Sequence, residues 1–460
     1  MMRGCFENVT AFAERQRLPS TYVRPCPPRS ALRHHLTKRR VMWAAGVARA
    51  VPSFRATRRT ESGSAHNNGS VPSSCVPSVV TPVYLDNNAT TRPDPAVVEA
   101  MVRCLADDYG NPSSVHRLGQ RARAAVDDAR EQVAALVGVR DREVTFVGTG
   151  TEATNTVLRG LVAARRKPKI VASVVEHDAT AAAAKAVAGD DAVEVGVDGD
   201  GQLDLDAFRD AIAGDDVACA SLIWANNETG VIADVAAAAD ICREHRVPLH
   251  VDATQAVGKI AIDLAAIGCD AATFSPHKFH GPKGVGVLWV RRGLRIPPLI
   301  VGGPQERDRR GGTENVAGIV GSGVAAQLAG ERLGEVHRVR ELRDDLERRL
   351  LATINDSRIN GGGAKRLPNT TNIAFLGLHA EAILLMLSEQ GIYASAGAAC
   401  SSGSLDPSRV LLAMNVPEPW AFGSIRLSLS RLTTSAEIDR VLDVLPPIVS
   451  RLRSVLPTAA

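Results

Sequence analysis

The chain reads H-V-D-A-T-Q-A-V-G-K over residues 250–259 and D-A-A-T-F-S-P-H-K-F-H-G-P-K-G over residues 270–284. A short apolar run belongs to each stretch, residues 248–251 in the first case and residues 271–274 in the second. Short apolar runs that end in polar side chains are typical of buried strands in an open parallel sheet, whose carboxyl ends border a ligand crevice. The two stretches therefore predict strands that deliver polar groups to one edge of a sheet.

The polar groups at these predicted strand ends suit one cofactor, pyridoxal phosphate. Lys278 can form a Schiff base with the aldehyde of this cofactor, and Asp252 can hold its ring nitrogen protonated. Ser275 and His277 could bind the phosphate beside the lysine. Singly, such residues have ordinary alternatives, because aspartates cap helices and lysines beside Gly-Pro occur in solvated loops. The combination with the motifs below favours the cofactor.

A chain of 460 residues has room for two or three domains and a large core. Its net charge of +4 comes from residues 1–80, which contain thirteen Lys and Arg against three Glu. The remainder is net acidic, so we expect no nucleic-acid binding by the folded core. No apolar run is long enough to span a membrane. The eight cysteines include no C-x-x-C pair, which indicates a reducing, cytoplasmic location.

Residues 1–80 are rich in Arg, Ser and Pro and show no sustained periodicity. This composition predicts a disordered basic extension or a targeting segment. If the segment is a transit peptide, the expected location is an organelle, and an overcalled start codon is a third alternative. We expect the folded part to begin near Val83.

Predicted strands and helices alternate from residue 143 to residue 274, which favours an α/β fold with a mostly parallel sheet covered on both faces. From about residue 330 the pattern changes and predicts a second, smaller α+β domain. The predicted strands are residues 143–147, 169–175, 193–197, 217–224, 248–251, 271–274, 372–376 and 424–429. The predicted helices are residues 94–105, 118–137, 152–166, 179–188, 205–212, 235–246, 331–351, 380–390, 407–414 and 436–452.

Other predicted strands also end in polar residues. The turn G-T-G-T-E at residues 148–152 precedes a predicted helix, whose N–H groups attract phosphate, although the same residues suit a helix cap. His177 could stack on a pyridine ring and move protons, although a histidine at a strand end is often structural. Asn227 and Gln255 could contact a phenolate oxygen or a substrate carboxylate, or they could satisfy loop backbone.

The stretch A-S-A-G-A-A-C-S-S-G-S at residues 394–404 is small and polar throughout. Such a stretch packs poorly and predicts a mobile loop. Cys400 in its middle would be an exposed thiol on a flexible arm, which suggests a group that travels, the alternative being a solvent-exposed bystander. Four other cysteines lie in apolar helix or strand contexts and are expected in the core: Cys104, Cys219, Cys242 and Cys269.

Two further stretches carry groups suited to anions. The Gly-rich loop at residues 302–315 contains Arg309, Arg310 and Thr313, which could serve an anion in a neighbouring subunit or could be solvated. Arg426 lies in the strand-like run S-I-R-L-S and needs a partner there. A substrate carboxylate suits its two-pronged guanidinium group.

Together these motifs closely resemble those of the cysteine desulfurases of the NifS/IscS type, which are class V members of the fold-type I pyridoxal-phosphate enzymes. The resemblance runs from about Val83 to Leu456. It rests on Y-L-D-N-N-A-T-T-R, G-N-P-S-S, W-A-N-N-E-T-G, R-R-G-G-T-E-N, the two opening stretches and the Cys400 loop, all in family order. It implies a large domain at residues 96–325 with a mostly parallel seven-stranded sheet. Residues 81–95 and 326–460 would form a small α+β domain carrying the mobile cysteine loop.

The resemblance also implies pyridoxal 5'-phosphate as the cofactor. Lys278 would carry the Schiff base, Asp252 would pair with the ring nitrogen, and His177 would stack on the ring and relay protons. The phosphate would be held by Gly150, Thr151, Ser275 and His277, with Thr313 reaching in from the other subunit of a homodimer.

For the reaction, the resemblance implies removal of sulfur from L-cysteine, which leaves L-alanine and a persulfide on Cys400. Asn227 and Gln255 would contact the cofactor oxygen or the substrate, and Arg426 would take the substrate carboxylate. The sulfur acceptor would be an iron–sulfur scaffold protein, with which Cys400 could ligate a transient cluster, and no metal site is built in. The alternatives are a selenocysteine lyase, another class V aminotransferase, or a catalytically silent scaffold for iron–sulfur assembly.

Overall fold

The computed structural model of the chain describes residues 81–396 and 406–455. The expectations for residues 1–80 and for the Cys400 loop fall on residues outside these ranges, so they stay predictions. Within the two described ranges, no helix is both long enough and apolar enough to span a bilayer.

The structure describes twelve strands, and all eight strands that the sequence predicts are among them. In chain order the strands are β1 (Val83–Tyr84), β2 (Val144–Val147), β3 (Lys169–Ser173), β4 (Ala192–Val195), β5 (Val217–Ile223), β6 (Leu249–Asp252), β7 (Ala271–Phe274), β8 (Gly286–Val290), β9 (Ser357–Ile359), β10 (Thr370–Phe375), β11 (Ile392–Tyr393) and β12 (Ser424–Ser428).

The described helices cover both faces of the larger sheet and one face of the smaller. In chain order they are α1 (Pro95–Ala106), α2 (Arg117–Leu136), α3 (Gly150–Arg165), α4 (Asp178–Ala188), α5 (Leu205–Ile212), α6 (Val235–Glu244), α7 (Leu264–Ile267), α8 (Gln305–Asp308), α9 (Val316–Glu331), α10 (Val336–Thr353), α11 (Ala380–Glu389), α12 (Arg409–Ala413), α13 (Glu418–Ala421) and α14 (Ser435–Val455).

Seven strands form the central sheet, in the order β2-β8-β7-β6-β5-β3-β4. From β7 to β4 every neighbouring pair is parallel, and only β8 runs antiparallel to its neighbours β2 and β7. The predicted mostly parallel seven-stranded sheet is therefore confirmed. Because β6 and β7 are adjacent and parallel, their carboxyl ends lie side by side and bring Asp252 close to the turn that carries Lys278.

Apart from the central sheet, the structure has a small antiparallel sheet of order β12-β10-β9 and the parallel pair β1–β11. These strands share a hydrophobic cluster of their own. Leu346 of α10, Ile383 of α11 and Leu445 of α14 are fully buried there against Ile373 and Phe375 of β10. These helices and strands agree with the predicted small α+β domain. The exact division at residues 96–325 stays a prediction.

The sequence prediction lacks the strands β1, β8, β9 and β11 and the helices α7, α8, α9 and α13, of which β8 and α9 are the longest strand and helix. Strand β8 follows the lysine turn after a Gly-rich stretch, residues 279–285, and its own run was not predicted as a strand. Helix α9 is rich in Gly and Ala, and its glycines allow close packing: a Cβ at Gly323 would lie 2.5 Å from the Cα of Ala129 in α2. The predicted helix at residues 331–351 is therefore wrong at its start, since α9 continues to Glu331 and α10 begins at Val336. Tertiary packing overrides the weak local preference here.

Candidate active site

A cleft of about 560 Å³ opens at the carboxyl edge of the central sheet. This size suits a cofactor or small substrate. Except for Thr313, every predicted site residue that the structure describes lines this cleft: Gly150, Thr151, His177, Asn227, Asp252, Gln255, Ser275, His277, Lys278 and Arg426. The fold therefore brings together residues that are separated by more than 270 positions in the chain.

Lys278 lies on the short helical turn Pro276–Lys278 that follows β7. Its Nζ donates hydrogen bonds to the backbone oxygens of Asn88 at 2.7 Å and Ala89 at 2.9 Å. These bonds hold the amine at the cleft and tie it to the segment after β1. The lysine side chain is thus oriented by backbone carbonyls from a segment that lies 190 residues earlier in the chain.

Asp252 is the last residue of β6, and its side chain is almost completely buried. Its Oδ1 accepts a hydrogen bond from the backbone N–H of Thr254 at 2.9 Å, which fixes the carboxylate beside the cleft. Behind it, His250 contacts the hydroxyl oxygens of Ser221 and Thr273 at 2.8 and 3.0 Å. Burial lowers the pKa of His250 to about 4. At neutral pH that imidazole is uncharged, so it places no positive charge behind Asp252.

The N-terminus of helix α3 forms the opposite wall of the cleft. Thr149 caps the helix by accepting a hydrogen bond from Glu152 N at 3.1 Å, and Glu152 Oε2 accepts from Gly148 N at 2.8 Å. A Cβ at Gly150 would lie only 2.6 Å from Ser275 Oγ, so a larger residue would fill the space between helix and serine. Helix N–H groups beside a serine hydroxyl are suited to a phosphate.

His277 contributes hydrogen bonding but no charge to this wall. Its Nδ1 lies 3.2 Å from Thr90 Oγ1. Burial, reinforced by the positive charges of Lys278, Lys283 and Lys259, lowers the pKa of His277 to about 4. A neutral imidazole can donate a hydrogen bond to phosphate.

His177 caps helix α4, and its Nδ1 accepts a hydrogen bond from Ala179 N at 3.1 Å. In the neutral ring the proton therefore resides on Nε2.

The preceding residue, Glu176, is buried, and its Oε1 accepts from Ile223 N at 2.6 Å. Burial raises the pKa of Glu176 well above its usual range, and the charge of Asp252 adds to the shift. The burial of Glu176, and with it this pKa shift, is invisible in the sequence.

Arg426 has a partner within the chain. Its Nη2 donates to Asp86 Oδ1 at 2.7 Å and its Nη1 donates to the backbone oxygen of Asn227 at 2.9 Å. Nothing in the sequence around Asp86 predicts this pairing. The role of Arg426 toward a substrate carboxylate stays a prediction, and such a carboxylate would have to share the guanidinium with Asp86.

The amide nitrogen and the amide oxygen of the Gln255 side chain are both hydrogen-bonded within the chain. Its Nε2 donates to Asn88 O at 2.9 Å, and its Oε1 accepts a hydrogen bond from Lys259. Lys259 ends the motif H-V-D-A-T-Q-A-V-G-K, and its sequence context predicts no role for it. The spacing of four residues between Gln255 and Lys259 was visible in the sequence, but the burial of this lysine was not.

Comparison with known proteins agrees with this geometry. A family model described as "Aminotransferase class-V" matches residues 83–441. A "Cysteine desulfurase" from Trichormus azollae is 48% identical over 379 residues, which are 82% of this chain and 94% of that protein. The chain belongs to the cysteine desulfurase group of the class V aminotransferases.

Two solved structures extend the comparison. A structure described as "NIFS-LIKE PROTEIN" has a TM-score of 0.76 and 36% sequence identity, and it covers 81% of this chain and 100% of its own. A structure described as "SspA in complex with cysteine" has a TM-score of 0.68 and 28% identity, and it covers 76% of this chain and 100% of its own. The fold-type I assignment is confirmed.

The cofactor of the class V aminotransferases is pyridoxal phosphate, and the residues of this cleft fit it. Lys278, Asp252 and the N-terminus of α3 all line this cleft. The space between Gly150 and Ser275 is open only because residue 150 has no side chain, since a Cβ there would fill it. Lys278 would hold the aldehyde, Asp252 the ring nitrogen, and the α3 terminus with Ser275 the phosphate. The prediction of pyridoxal phosphate as cofactor is confirmed, and the individual residue roles stay predictions.

Of the described site residues expected from the cysteine desulfurase resemblance, Thr313 does not line the cleft. Thr313 lies exposed between α8 and α9. Cys400 lies outside the described residues. Two described residues that follow it in the chain contact the cleft wall: Ser408 Oγ donates to Glu228 Oε2 at 2.6 Å, and Arg409 Nη2 donates to Glu176 O at 2.7 Å.

The described cysteines are unsuited to the nucleophile that a cysteine desulfurase needs. All are buried, as expected: Cys104, Cys219, Cys242 and Cys269. Burial raises the pKa of Cys219, Cys242 and Cys269 to about 12 and also raises that of Cys104. Thiols of this kind are not thiolates at neutral pH.

Proposed function

We propose that this chain removes sulfur from L-cysteine and leaves L-alanine together with a persulfide on Cys400. The observation that carries the proposal is the placement of Lys278, Asp252 and His177 around one cleft. The sequence identity to cysteine desulfurases and the structural similarity to a protein in complex with cysteine support it.

Bound pyridoxal phosphate supplies an aldehyde that bonds to amines and a ring that accepts electron density from the substrate Cα. Lys278 would hold the cofactor through its amine, and its Nζ would take the Cα proton of the substrate. Asp252 would hold the ring nitrogen. His177 can hold or release a proton at Nε2, and Arg426 with Asn227 binds the substrate carboxylate.

The sulfur step requires a thiolate at Cys400. This thiolate attacks the substrate Sγ, a sulfur–sulfur bond forms, and the bond between Cβ and Sγ breaks. The electron pair of the broken bond stays with Cβ, which takes a proton and becomes the methyl group of alanine. Cysteine and one enzyme thiol thus give alanine and one enzyme persulfide, with no external oxidant or reductant.

A product assay tests the proposal. Incubation with L-cysteine and a reducing thiol should yield alanine and sulfide in equal amounts, and Cys400→Ser should lose sulfide release while retaining the visible absorption of bound cofactor. Cys75→Ser, in the N-terminal extension, is the matched control and should keep both. With labelled cysteine, the sulfur should reach an added iron–sulfur scaffold protein, the acceptor that we infer.

Three results would count against this reading. Full sulfide production by Cys400→Ser would remove the persulfide step, and a 2-oxo acid in place of alanine would favour an aminotransferase. Turnover of selenocysteine without turnover of cysteine would favour a selenocysteine lyase.

We further infer a homodimer in which Thr313 completes the partner's phosphate site. Thr313 is exposed, and the preceding loop displays apolar side chains, among them Val301 at 83% exposure. Exposed apolar groups of this kind are typical of interaction surfaces. Sedimentation should give twice the chain mass, and Thr313→Ala should weaken cofactor retention without lowering the dimer fraction. A monomer that retains its cofactor would contradict the inference.

A further inference from the structure

An ion pair lies beside the helix N-terminus that is expected to hold the cofactor phosphate. Arg310 Nε donates to Glu152 Oε1 at 3.0 Å, and the two side chains are only 25% and 16% exposed. The partners are 158 residues apart in the chain, since Glu152 is the third residue of α3 and Arg310 follows α8. Neither residue lines the cleft, whereas Thr149, Gly150 and Thr151 do. The pair is therefore placed to influence the phosphate wall from behind.

The carboxylate of Glu152 has a structural role at the start of α3. Its Oε2 accepts a hydrogen bond from Gly148 N at 2.8 Å, while the N–H of Glu152 itself donates to Thr149 Oγ1 at 3.1 Å. This reciprocal arrangement is similar to a capping box and stabilises the first turn. A negative charge there also interacts favourably with the positive end of the helix dipole. For the helix alone, this carboxylate is well placed.

The same carboxylate is unfavourable for a bound phosphate. A phosphate at this terminus would use the N–H groups of the same turn, and two anions at one helix end repel each other. A Cβ at Gly150 would lie 2.6 Å from Ser275 Oγ, which locates the phosphate space between these two residues. Gly150 precedes Glu152 by two residues, so their Cα atoms are at most about 7 Å apart. The cap therefore competes with phosphate binding unless a cation offsets its charge.

Arg310 supplies this cation from a loop whose backbone is fixed. Gly311 N donates to Ile300 O at 2.9 Å, and a Cβ at Gly311 would lie 2.6 Å from the Cα of Gly302, so the two arms of the loop are in contact. A Cβ at Gly148 would lie 3.8 Å from Arg310 Nη2, so the guanidinium group extends to the turn before α3. The positive charge is thus held next to the carboxylate and next to the turn that it caps.

We propose that Arg310 is a positioning residue for the cofactor phosphate, because its guanidinium group neutralises Glu152 and so lets the start of α3 keep both its cap and its affinity for a dianion. Arg310 acts through Glu152 and from outside the cleft. The inference requires only that the phosphate lies at the N-terminus of α3. It concerns retention of the cofactor, whatever substrate the cofactor then serves, and so goes beyond the proposed function.

Cofactor binding by the full chain, after removal of its cofactor, tests the inference. Arg310→Met removes the charge and keeps much of the apolar length of the side chain. The Kd for pyridoxal 5'-phosphate, measured by visible absorption, should rise about tenfold. The Kd for pyridoxal, which has the same aldehyde and ring but no phosphate, should stay at the parent value. Arg310→Gln replaces Arg310→Met if that variant does not fold.

A second substitution distinguishes the effect of charge from damage to the loop. Glu152→Gln removes the negative charge and keeps a side-chain oxygen that can accept from Gly148 N. Combined with Arg310→Met, it should return the Kd for pyridoxal 5'-phosphate to the parent value, because no uncompensated charge then remains at the helix end. A disordered loop would not be repaired by a substitution in α3.

Arg307→Met is the matched control. Arg307 lies on the same loop and pairs with Asp141, which precedes β2, at 3.4 Å. This variant removes an ion pair of the loop without changing Glu152, so both Kd values should equal those of the parent.

Four results would overturn the inference. They are an unchanged Kd for pyridoxal 5'-phosphate in Arg310→Met, an equal loss of affinity for pyridoxal, a double variant that binds no better than Arg310→Met, and a loss of the same size in Arg307→Met. Because the readout is binding, a chain that shows the expected pattern but makes no alanine would support the role of Arg310 and refute the proposed function. Normal alanine formation without the expected pattern would do the reverse.

Discussion

Lys278→Ala is expected to form L-alanine from L-cysteine at least ~10³ times more slowly than the parent chain. The variant loses both the amine that bonds to the cofactor aldehyde and the base that takes the Cα proton. The hydrogen bonds from Nζ to Asn88 O and Ala89 O show that the parent structure holds this amine in place at the cleft. Lys278→Arg should fail equally, because a guanidinium group stays charged and forms no bond to an aldehyde.

The measurement compares alanine formation with the visible absorption of bound cofactor. Lys283→Ala is the matched control, since Lys283 follows on the same loop but is exposed to solvent, and this variant should keep the parent rate. If Lys278→Ala made alanine at a rate comparable with the parent, Lys278 would have no part in the reaction and the assignment of the cleft would be wrong.

Glu306→Ala is expected to lower the free energy of unfolding by about 3–5 kcal/mol. Arg130 and Glu306 form a two-pronged ion pair at 2.6 and 2.8 Å, and each side chain is only 3% exposed. Glu306 Oε2 also accepts from Phe146 N at 2.9 Å. Removal of the carboxylate leaves a buried guanidinium charge and a buried N–H group without their acceptor, and neither can reach water.

A double-mutant cycle measures how much of this loss in the free energy of unfolding comes from the unpaired charge. Urea unfolding of Glu306→Met, Arg130→Met and the double variant should show that the double variant recovers most of the loss, because two apolar side chains leave no buried charge. Asp190→Ala, which breaks an exposed pair with Lys185, should cause no measurable change. A double variant as unstable as the sum of the two single variants would contradict this account.

The ion pair also has a local consequence for the loop that leads to Thr313. Glu306, Arg307 and Asp308 all have positive φ angles, of 47°, 60° and 63°. Three consecutive residues of this kind are costly without glycine and persist only where surrounding contacts impose them. The buried carboxylate of Glu306 is such a contact, so we expect its loss to loosen the loop as well as to destabilise the core.

Local patterns were sufficient to predict most of the central sheet and the strand ends that carry chemistry. The helix Leu205–Ile212 and the strand Ala271–Phe274 have the predicted bounds. Helix α9 escaped prediction because its glycines are explained only by the helix against which they pack. Strand β8 escaped because its run was not separated from the preceding Gly-rich loop.

The sequence by itself determined the alternation of strands and helices, the motifs at the strand ends and thereby the family, because these depend on residues close together in the chain. Only the tertiary structure decided that Arg426 is paired with Asp86, that Glu176 is buried beside Asp252, and that Asn88 joins Lys278 to Lys259. The physical reason is that burial and charge interactions are set by neighbours in space. Those neighbours come from segments that no local pattern connects.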